Sequence, residues 1–305
     1  MAFKKIAVVG FGEAGPVFAA AFVKAGVAQV SAYDILIDDP AAADQLRAKA
    51  TALGVEPAET IAAAVTRATL ILSTVTADQT VVAAGAAAPH LGAGQTYLDL
   101  NSTSPREKAR AAALIEATGA RFVEGAAMDT VPNFGAKVPI LVAGETAEAL
   151  AADLNALGMR IDVAGPALGA ASSAKMLRSV LIKGFAALFA ESMVAAGKLG
   201  LQHQIVASLN VTFPGLDWQQ VVGYYLGRSA IHAKRQAAEM RASAETVEGL
   251  GVEPLMTRAT AARLQWATDL DLVRFYEPGA EPTIDDYLAA VAAATDAAAS
   301  EARGA

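Results

Sequence analysis

The chain has no cysteine, only three histidines (His90, His203 and His232), and no cluster of lysine or arginine. The first absence removes disulfides, thiolate nucleophiles and sulfur-rich zinc sites. The histidines stand at no metal-ligand spacing, so no metal site is expected. A net charge of −7 at pH 7, with no basic patch to gather phosphates, argues against nucleic acid as a partner. Aromatic residues are scarce, 6% within a hydrophobic content of 54% that is rich in alanine. That balance suits helices with modest side chains better than an all-β fold. No uncharged stretch is fit to cross a membrane: the longest, residues 80–98, is interrupted by Gly85, Pro89, Gly92 and Gly94. The opening MAFKKIAVVGFGEAGPVFAAAFVKAG places lysines before an apolar run, as a secretory leader does, but Gly10, Gly12, Glu13 and Pro16 break that run. A cytoplasmic protein of two domains is therefore expected from 305 residues.

What is present is alternation. Short apolar runs near 5–9, 28–33, 70–75, 96–100, 122–123, 139–142 and 160–163 read as strands, separated by helical stretches near 14–25, 41–53, 57–67, from 78, and 146–157. Ser104-Pro105-Arg106-Glu107 is a capping box with proline at the first helical position, two start signals that agree. Strands alternating with helices predict parallel βαβ units in a doubly wound sheet. Beyond Gly165 the pattern changes to a long apolar helix, 170–199, followed by helical stretches at 219–248, 254–267 and 284–303. The expected boundary is at 165, with an α/β Rossmann domain over 1–165 and an all-α domain over 166–305.

The turn after the first strand reads Gly10-Phe11-Gly12-Glu13-Ala14-Gly15 and opens a helix, the context a dinucleotide-binding turn requires. Gly10 permits the tight turn, Gly12 lets backbone approach a pyrophosphate, and Gly15 lets helix pack on strand, with the helix N-terminus facing the phosphates. Asp34, at the end of the second strand, stands where a carboxylate accepts from the adenosine ribose hydroxyls. Ile35 and Leu36 follow it, with no cation to meet a 2′-phosphate, so NAD is expected over NADP. Open α/β sheets present ligands at strand ends. Two ends here are polar: Ser73-Thr74-Val75-Thr76, and Asp99-Leu100-Asn101-Ser102-Thr103. Thr74, Val75, Thr76 and Asn101 suit the cofactor, and Ser102 a substrate oxygen. Asn101 and Ser102 equally suit capping of the helix that follows.

On the long helix, Ser172, Lys175, Ser179 and Lys183 fall on one side at ~100° per residue. An unpartnered ammonium is costly to bury, so such a stripe lines a cleft or meets solvent. In a cleft, Lys175 can exchange a proton with a substrate oxygen as hydride moves. A second polar stripe, Arg228, His232, Arg235 and Glu239, lies opposite Leu226, Ala230, Ala233, Ala237 and Met240 on an amphipathic helix. It reads as a solvated face, or as His232 and Arg235 closing over an anionic substrate.

These motifs, in this order, resemble the β-hydroxyacid dehydrogenases, the 3-hydroxyisobutyrate and 6-phosphogluconate dehydrogenase-like enzymes. The likeness rests on the glycine turn, on Asp99 through Pro105, on residues 165–179 with Lys175, and on Ala190-Glu191-Ser192 and Leu199-Gly200-Leu201. It covers roughly residues 4–210. It implies a Rossmann domain, a long inter-domain helix, and an all-helical domain forming a homodimer interface. It also implies hydride transfer between nicotinamide and a hydroxy acid, with Lys175 as general acid/base; Asn101 and Ser179 are the residues expected to orient the oxygen. The departures are local. Asn101 stands where the family carries serine in its Asp-x-Ser-Thr motif, with Ser102 next. Ser179 stands where it carries asparagine, and Arg178 precedes it. Glu124-Gly125-Ala126-Ala127-Met128 replaces its Pro-Val-Ser-Gly-Gly loop, and its Lys-Asp pair falls near Glu239-Met240. Arg178, His232 and Arg235 are the expected replacement contacts to a substrate anion. Reduction of an imine, or cofactor sensing without chemistry, are the competing functions.

Overall fold

The computed structural model describes residues 3–304. It divides into two compact units, Met1–Lys175 and Met176–Ala305.

The first unit is built on β1 (Lys5–Val9), β2 (Gln29–Tyr33), β3 (Glu56–Pro57), β4 (Leu70–Ser73), β5 (Thr96–Asp99), β6 (Arg121–Ala127), β7 (Pro139–Ala143) and β8 (Arg160–Gly165). Between them run α1 (Gly15–Lys24), α2 (Pro40–Ala52), α3 (Ile61–Val65), α4 (Thr80–Ala87), α5 (Pro105–Glu116), α6 (Val131–Phe134) and α7 (Ala147–Ala156). The strands form one sheet in the order β3-β2-β1-β4-β5-β6-β7-β8, parallel throughout except where β7 runs against β6. Central strands such as β4, Leu70-Ile71-Leu72-Ser73, are buried along their whole length, as strands covered on both faces must be. One face packs against Phe18, Phe22, Leu46, Leu150 and Leu154, the other against Val65, Ala111 and Ile115, with Tyr97 and Phe122 stacked in between. The chain leaves β1 toward β2 and β3, then returns to build outward from β4. The order thus reverses at β1 and β4, whose carboxyl ends open the crevice in which such sheets hold ligands.

Two elements expected in the first unit differ most from expectation. The helix expected over 57–67 is confined to Ile61–Val65, because Glu56–Pro57 pairs with β2 as an edge strand and Thr60 caps the helix, its Oγ1 accepting from Ala63 N–H at 3.2 Å. Strand β6 extends well past 122–123. Its Gly125-Ala126-Ala127 portion has low strand propensity, yet it pairs antiparallel with Val142, Leu141 and Ile140 of β7, and a Cβ on Gly125 would lie 2.3 Å from Leu100 Cδ2.

Helix α8 (Ala170–Gly197) begins in the first unit. The second unit contains the remainder of α8 together with α9 (Gln202–Thr212), α10 (Trp218–Ile231), α11 (Ala233–Gly249), α12 (Leu255–Asp269) and α13 (Ile284–Gly304), with no strand among the described residues. Met193, Val222, Leu226, Leu272, Ile284 and Tyr287 form its main core. The single helix expected over 219–248 is two helices. His232, with φ −112° and ψ 17°, leaves the helical region between them. No glycine or proline stands at that break. The apolar face is as expected: Leu226, Ala230, Ala233, Ala237 and Met240 are all buried.

Candidate active site

The glycine turn is defined by what cannot fit there. Gly10 has φ +93°, and a Cβ on it would lie 2.7 Å from Thr74 O; a Cβ on Gly15 would lie 2.1 Å from Gly10 O. Gly12 is the opposite case, with no atom within 4 Å of such a Cβ. Two glycines therefore close the turn on itself and the middle one faces open space. Helix α1 starts at Gly15 with Pro16 in its first turn and no side-chain cap, and Ala14 at the cap position is half-buried. Phe11 is buried and Glu13 exposed. Asp34 ties the turn to β2: its Oδ2 accepts from Phe11 N–H at 2.6 Å and its Oδ1 from Leu36 N–H at 3.0 Å.

From this turn, side chains connect neighbouring strand ends. Thr74 Oγ1, past the end of β4, donates to Gly10 O at 2.8 Å, with Val75 packed at the same turn. Thr76 is exposed. The Asn101 amide nitrogen, past the end of β5, donates to Ser73 Oγ at 3.0 Å. Asn101 is buried, and its Oδ1 has no partner among the described residues. The adjacent Ser102 is exposed, and Lys175 Nζ, on the second turn of α8, donates to its Oγ at 2.5 Å. Gly10, Ser73, Thr74, Asn101, Ser102 and Lys175 thus run in order across β1, β4 and β5 to α8, over about 10 Å of sheet at ~4.8 Å per strand.

These residues fit a dinucleotide. The open side of Gly12 and the uncapped start of α1 suit a pyrophosphate, the Asp34 carboxylate suits ribose hydroxyls, and the unmatched Asn101 Oδ1 suits an incoming N–H or O–H donor.

In the second unit, Glu239 gathers cations. Lys183 Nζ lies 2.9 Å from its Oε2 and Arg235 2.6 Å from its Oε1. Burial pushes the Glu239 carboxyl up, but Lys183 and Arg235 together outweigh it and hold it below its ordinary value. Arg235 therefore lies beside Glu239, while His232 sits at the break between α10 and α11. Arg228 stacks over the Tyr224 ring at 5.6 Å. The residues Arg228, His232, Arg235 and Glu239 are thus shared between α10 and α11, with His232 at the junction. Ser179 is half-buried and Arg178 exposed on α8.

Three side chains escaped the sequence reading. Lys49, from the last turn of α2, donates to Gly12 O at 2.9 Å and lies 5.7 Å from the Phe11 ring centroid, so an ammonium stands at the turn after all. Nothing local signals it, because it arrives from 37 residues away. Lys108 is fully buried and donates to Asp99 Oδ1 at 2.9 Å, Asp99 O at 2.7 Å and Gly125 O at 3.2 Å. Its signal was a charge on the apolar stripe of α5, with Ala111, Ala112 and Ile115. Glu124, equally buried, accepts at Oε1 from Ala171 N–H at 2.8 Å and Ser172 N–H at 3.3 Å, and at Oε2 from Ser172 Oγ at 2.9 Å. A lone carboxylate in an apolar strand was its signal.

A family profile described as the NAD binding domain of 6-phosphogluconate dehydrogenase matches residues 5–133. Another, described as a domain of unknown function, matches residues 196–267. A conserved hypothetical protein of solved structure from Sinorhizobium meliloti is 40% identical over 95% of this chain and 96% of its own, with a TM-score of 0.78. A second solved protein, described as structurally similar to 3-hydroxyacid dehydrogenases, is 29% identical over 87% of this chain and 97% of its own, with a TM-score of 0.72. An uncharacterized 28.5 kDa protein of Methanothermus fervidus is 30% identical over 168 residues. That match covers 54% of this chain and 62% of the relative, less than two thirds of its length.

Proposed function

Because this chain belongs to the β-hydroxyacid dehydrogenase superfamily, the 3-hydroxyisobutyrate and 6-phosphogluconate dehydrogenase-like NAD(P)-dependent oxidoreductases, we propose that it interconverts a small or medium polar hydroxy acid and its keto form, with Lys175 as general acid/base. The observation that carries this reading is the run of contacts across adjacent strand ends from the glycine turn to the Lys175 amine. When bound, the nicotinamide supplies the hydride acceptor or donor. In the oxidation direction the neutral Lys175 amine takes the substrate hydroxyl proton, and Ser102, already its hydrogen-bond partner, shares the substrate oxygen with it. Asn101, whose Oδ1 has no partner among the described residues, orients that oxygen. The test is oxidation of NADH against a panel of 2- and 3-keto acids, with cyclic imines in parallel. Turnover of keto acids supports the reading, turnover of imines alone replaces it with an imine reductase, and turnover of neither leaves a cofactor sensor.

The proposed cofactor is NAD, on the strength of Asp34. NADH is expected to bind at least about tenfold more tightly than NADPH, a gap of about 1.4 kcal/mol. Asp34→Ser is expected to narrow that gap in a fluorescence titration. Tighter binding of NADPH to the unaltered protein would count against the assignment and transfer the weight to Lys49.

The assembly proposed is a homodimer through the helical unit. Leu177, Leu181, Phe185 and Leu188, spaced i, i+4, i+8 and i+11 on α8, are between 42% and 65% exposed. Leu181, Phe185 and Leu188 also belong to the stretch that makes α8, alone among the described helices, long and apolar enough to cross a membrane. Light scattering is expected to give twice the chain mass, and Leu181→Glu is expected to give a monomer that still binds NADH. A monomeric unaltered protein overturns the assembly.

A further inference from the structure

We propose that Glu124 is the positioning residue for Lys175, holding the turn of α8 directly beneath it in register with the turn that carries Ser102. This rests on the reading of Lys175 as the proton-transfer group, but its test does not. Glu124 receives hydrogen bonds from two consecutive backbone amides, Ala171 and Ser172, and from the Ser172 hydroxyl. Lys175 follows at i+4 and i+3 from those residues, on the same side of the helix. Two amides fix the depth of the helix end, and the serine hydroxyl fixes its rotation.

The register of the sheet extends the argument. Glu124 on β6 pairs directly with Asp99 on β5. Asp99 is buried as well, and its Oδ1 accepts from Asn101 N–H at 2.8 Å, which sets the turn leading into Ser102. Lys108 joins the two rungs, bonding Asp99 on one strand and Gly125 O, next to Glu124, on the other. The contacts close into a ring: Glu124 to α8, α8 through Lys175 to Ser102, Ser102 through Asn101 to Asp99, Asp99 through Lys108 to Gly125. Two neighbouring carboxylates on one sheet thereby hold the two halves of the Lys175–Ser102 pair. An ordinary helix cap comes from a local Ser, Thr, Asn or Asp. Here the carboxylate comes from 47 residues away and is fully buried, a placement that couples helix to sheet as a local cap does not. A four-carbon side chain with many rotamers needs such support if its amine is to meet a substrate oxygen at one place.

The test is competitive acetylation of the whole protein with acetic anhydride, read lysine by lysine by mass spectrometry. Exposed Lys24 is the reference, and NADH binding reports on the glycine turn. Glu124→Ala is expected to raise the labelling rate of Lys175 about fivefold, the size of one lost hydrogen bond, with Lys24 and NADH affinity unchanged. Glu124→Gln, which keeps an acceptor of the same shape, is expected to restore the wild-type rate. A folded Glu124→Ala protein that binds NADH and labels Lys175 at the wild-type rate overturns the proposal. So does a parallel rise at Lys175 and Lys24, which marks general loosening. Where Glu124→Ala does not fold, Glu124→Asp, one methylene shorter, takes its place under the same two outcomes. Failure here leaves the dehydrogenase reading to the substrate panel, and failure of the panel leaves the Lys175 labelling result standing.

Discussion

Lys175→Ala is expected to lower turnover of the best panel substrate by about 10²–10⁴-fold, the usual worth of a positioned acid/base. NADH affinity is expected to stay within about twofold, because a loss confined to the chemical step leaves binding in place. The split between the two numbers is the point of the measurement. Were Lys175 only an anchor for the substrate's anionic end, its loss would raise KM and spare kcat. Lys175→Arg separates charge from proton exchange: the guanidinium keeps the positive charge and can still donate to Ser102, but it does not deprotonate near neutral pH. It is therefore expected to be almost as inactive as the alanine variant. A small primary amine added to the alanine variant is expected to restore part of the rate. Wild-type turnover in either variant would remove Lys175 from the chemistry and shift attention to Ser102 and Asn101.

The sequence carried the fold wherever local physics determined it. The glycine turn was legible because a positive φ at Gly10 and the clash awaiting a Cβ at Gly15 are backbone demands that few residues satisfy. The helix start at Ser104 was legible because capping is local, and Ser104 Oγ accepts from Glu107 N–H at 3.3 Å, while the Glu107 carboxylate pairs with Arg110. What was not legible was settled by partners distant in sequence. Gly125-Ala126-Ala127 forms strand because it pairs antiparallel with Ile140-Leu141-Val142 of β7, a reason located in another element. The helix break at His232 has no local punctuation at all. The site divides along the same line. Lys175 stood out as a cation in an apolar helix, and Ser102 as a hydroxyl at a strand end. Their contact spans 73 residues, and the buried side chains supporting it, Glu124 and Lys108, act through partners that only the sheet register brings near. A buried charge in an apolar pattern announces that a partner exists, without saying which.

The three glycines of the turn predict two distinct failures. Gly12→Ala is expected to leave the melting temperature within about 2 °C, since nothing lies within 4 Å of the new methyl. It is also expected to weaken NADH binding at least about tenfold, because the methyl occupies the side of the turn where backbone must approach the pyrophosphate. Gly10→Ala and Gly15→Ala are expected to fail in the other order. The first forces a side chain onto φ +93° and against Thr74 O, the second places a methyl 2.1 Å from Gly10 O, and neither neighbour is a side chain that can swing away. Each should cost about 1–3 kcal/mol of stability, a drop of about 2–4 °C per kcal/mol for a chain of this size, with cofactor affinity falling because the turn itself has moved. Melting curves and fluorescence titrations on the three variants separate the cases. A Gly12→Ala protein that binds NADH as tightly as the unaltered chain would place the dinucleotide elsewhere, and Gly10 and Gly15 would then be serving the turn alone.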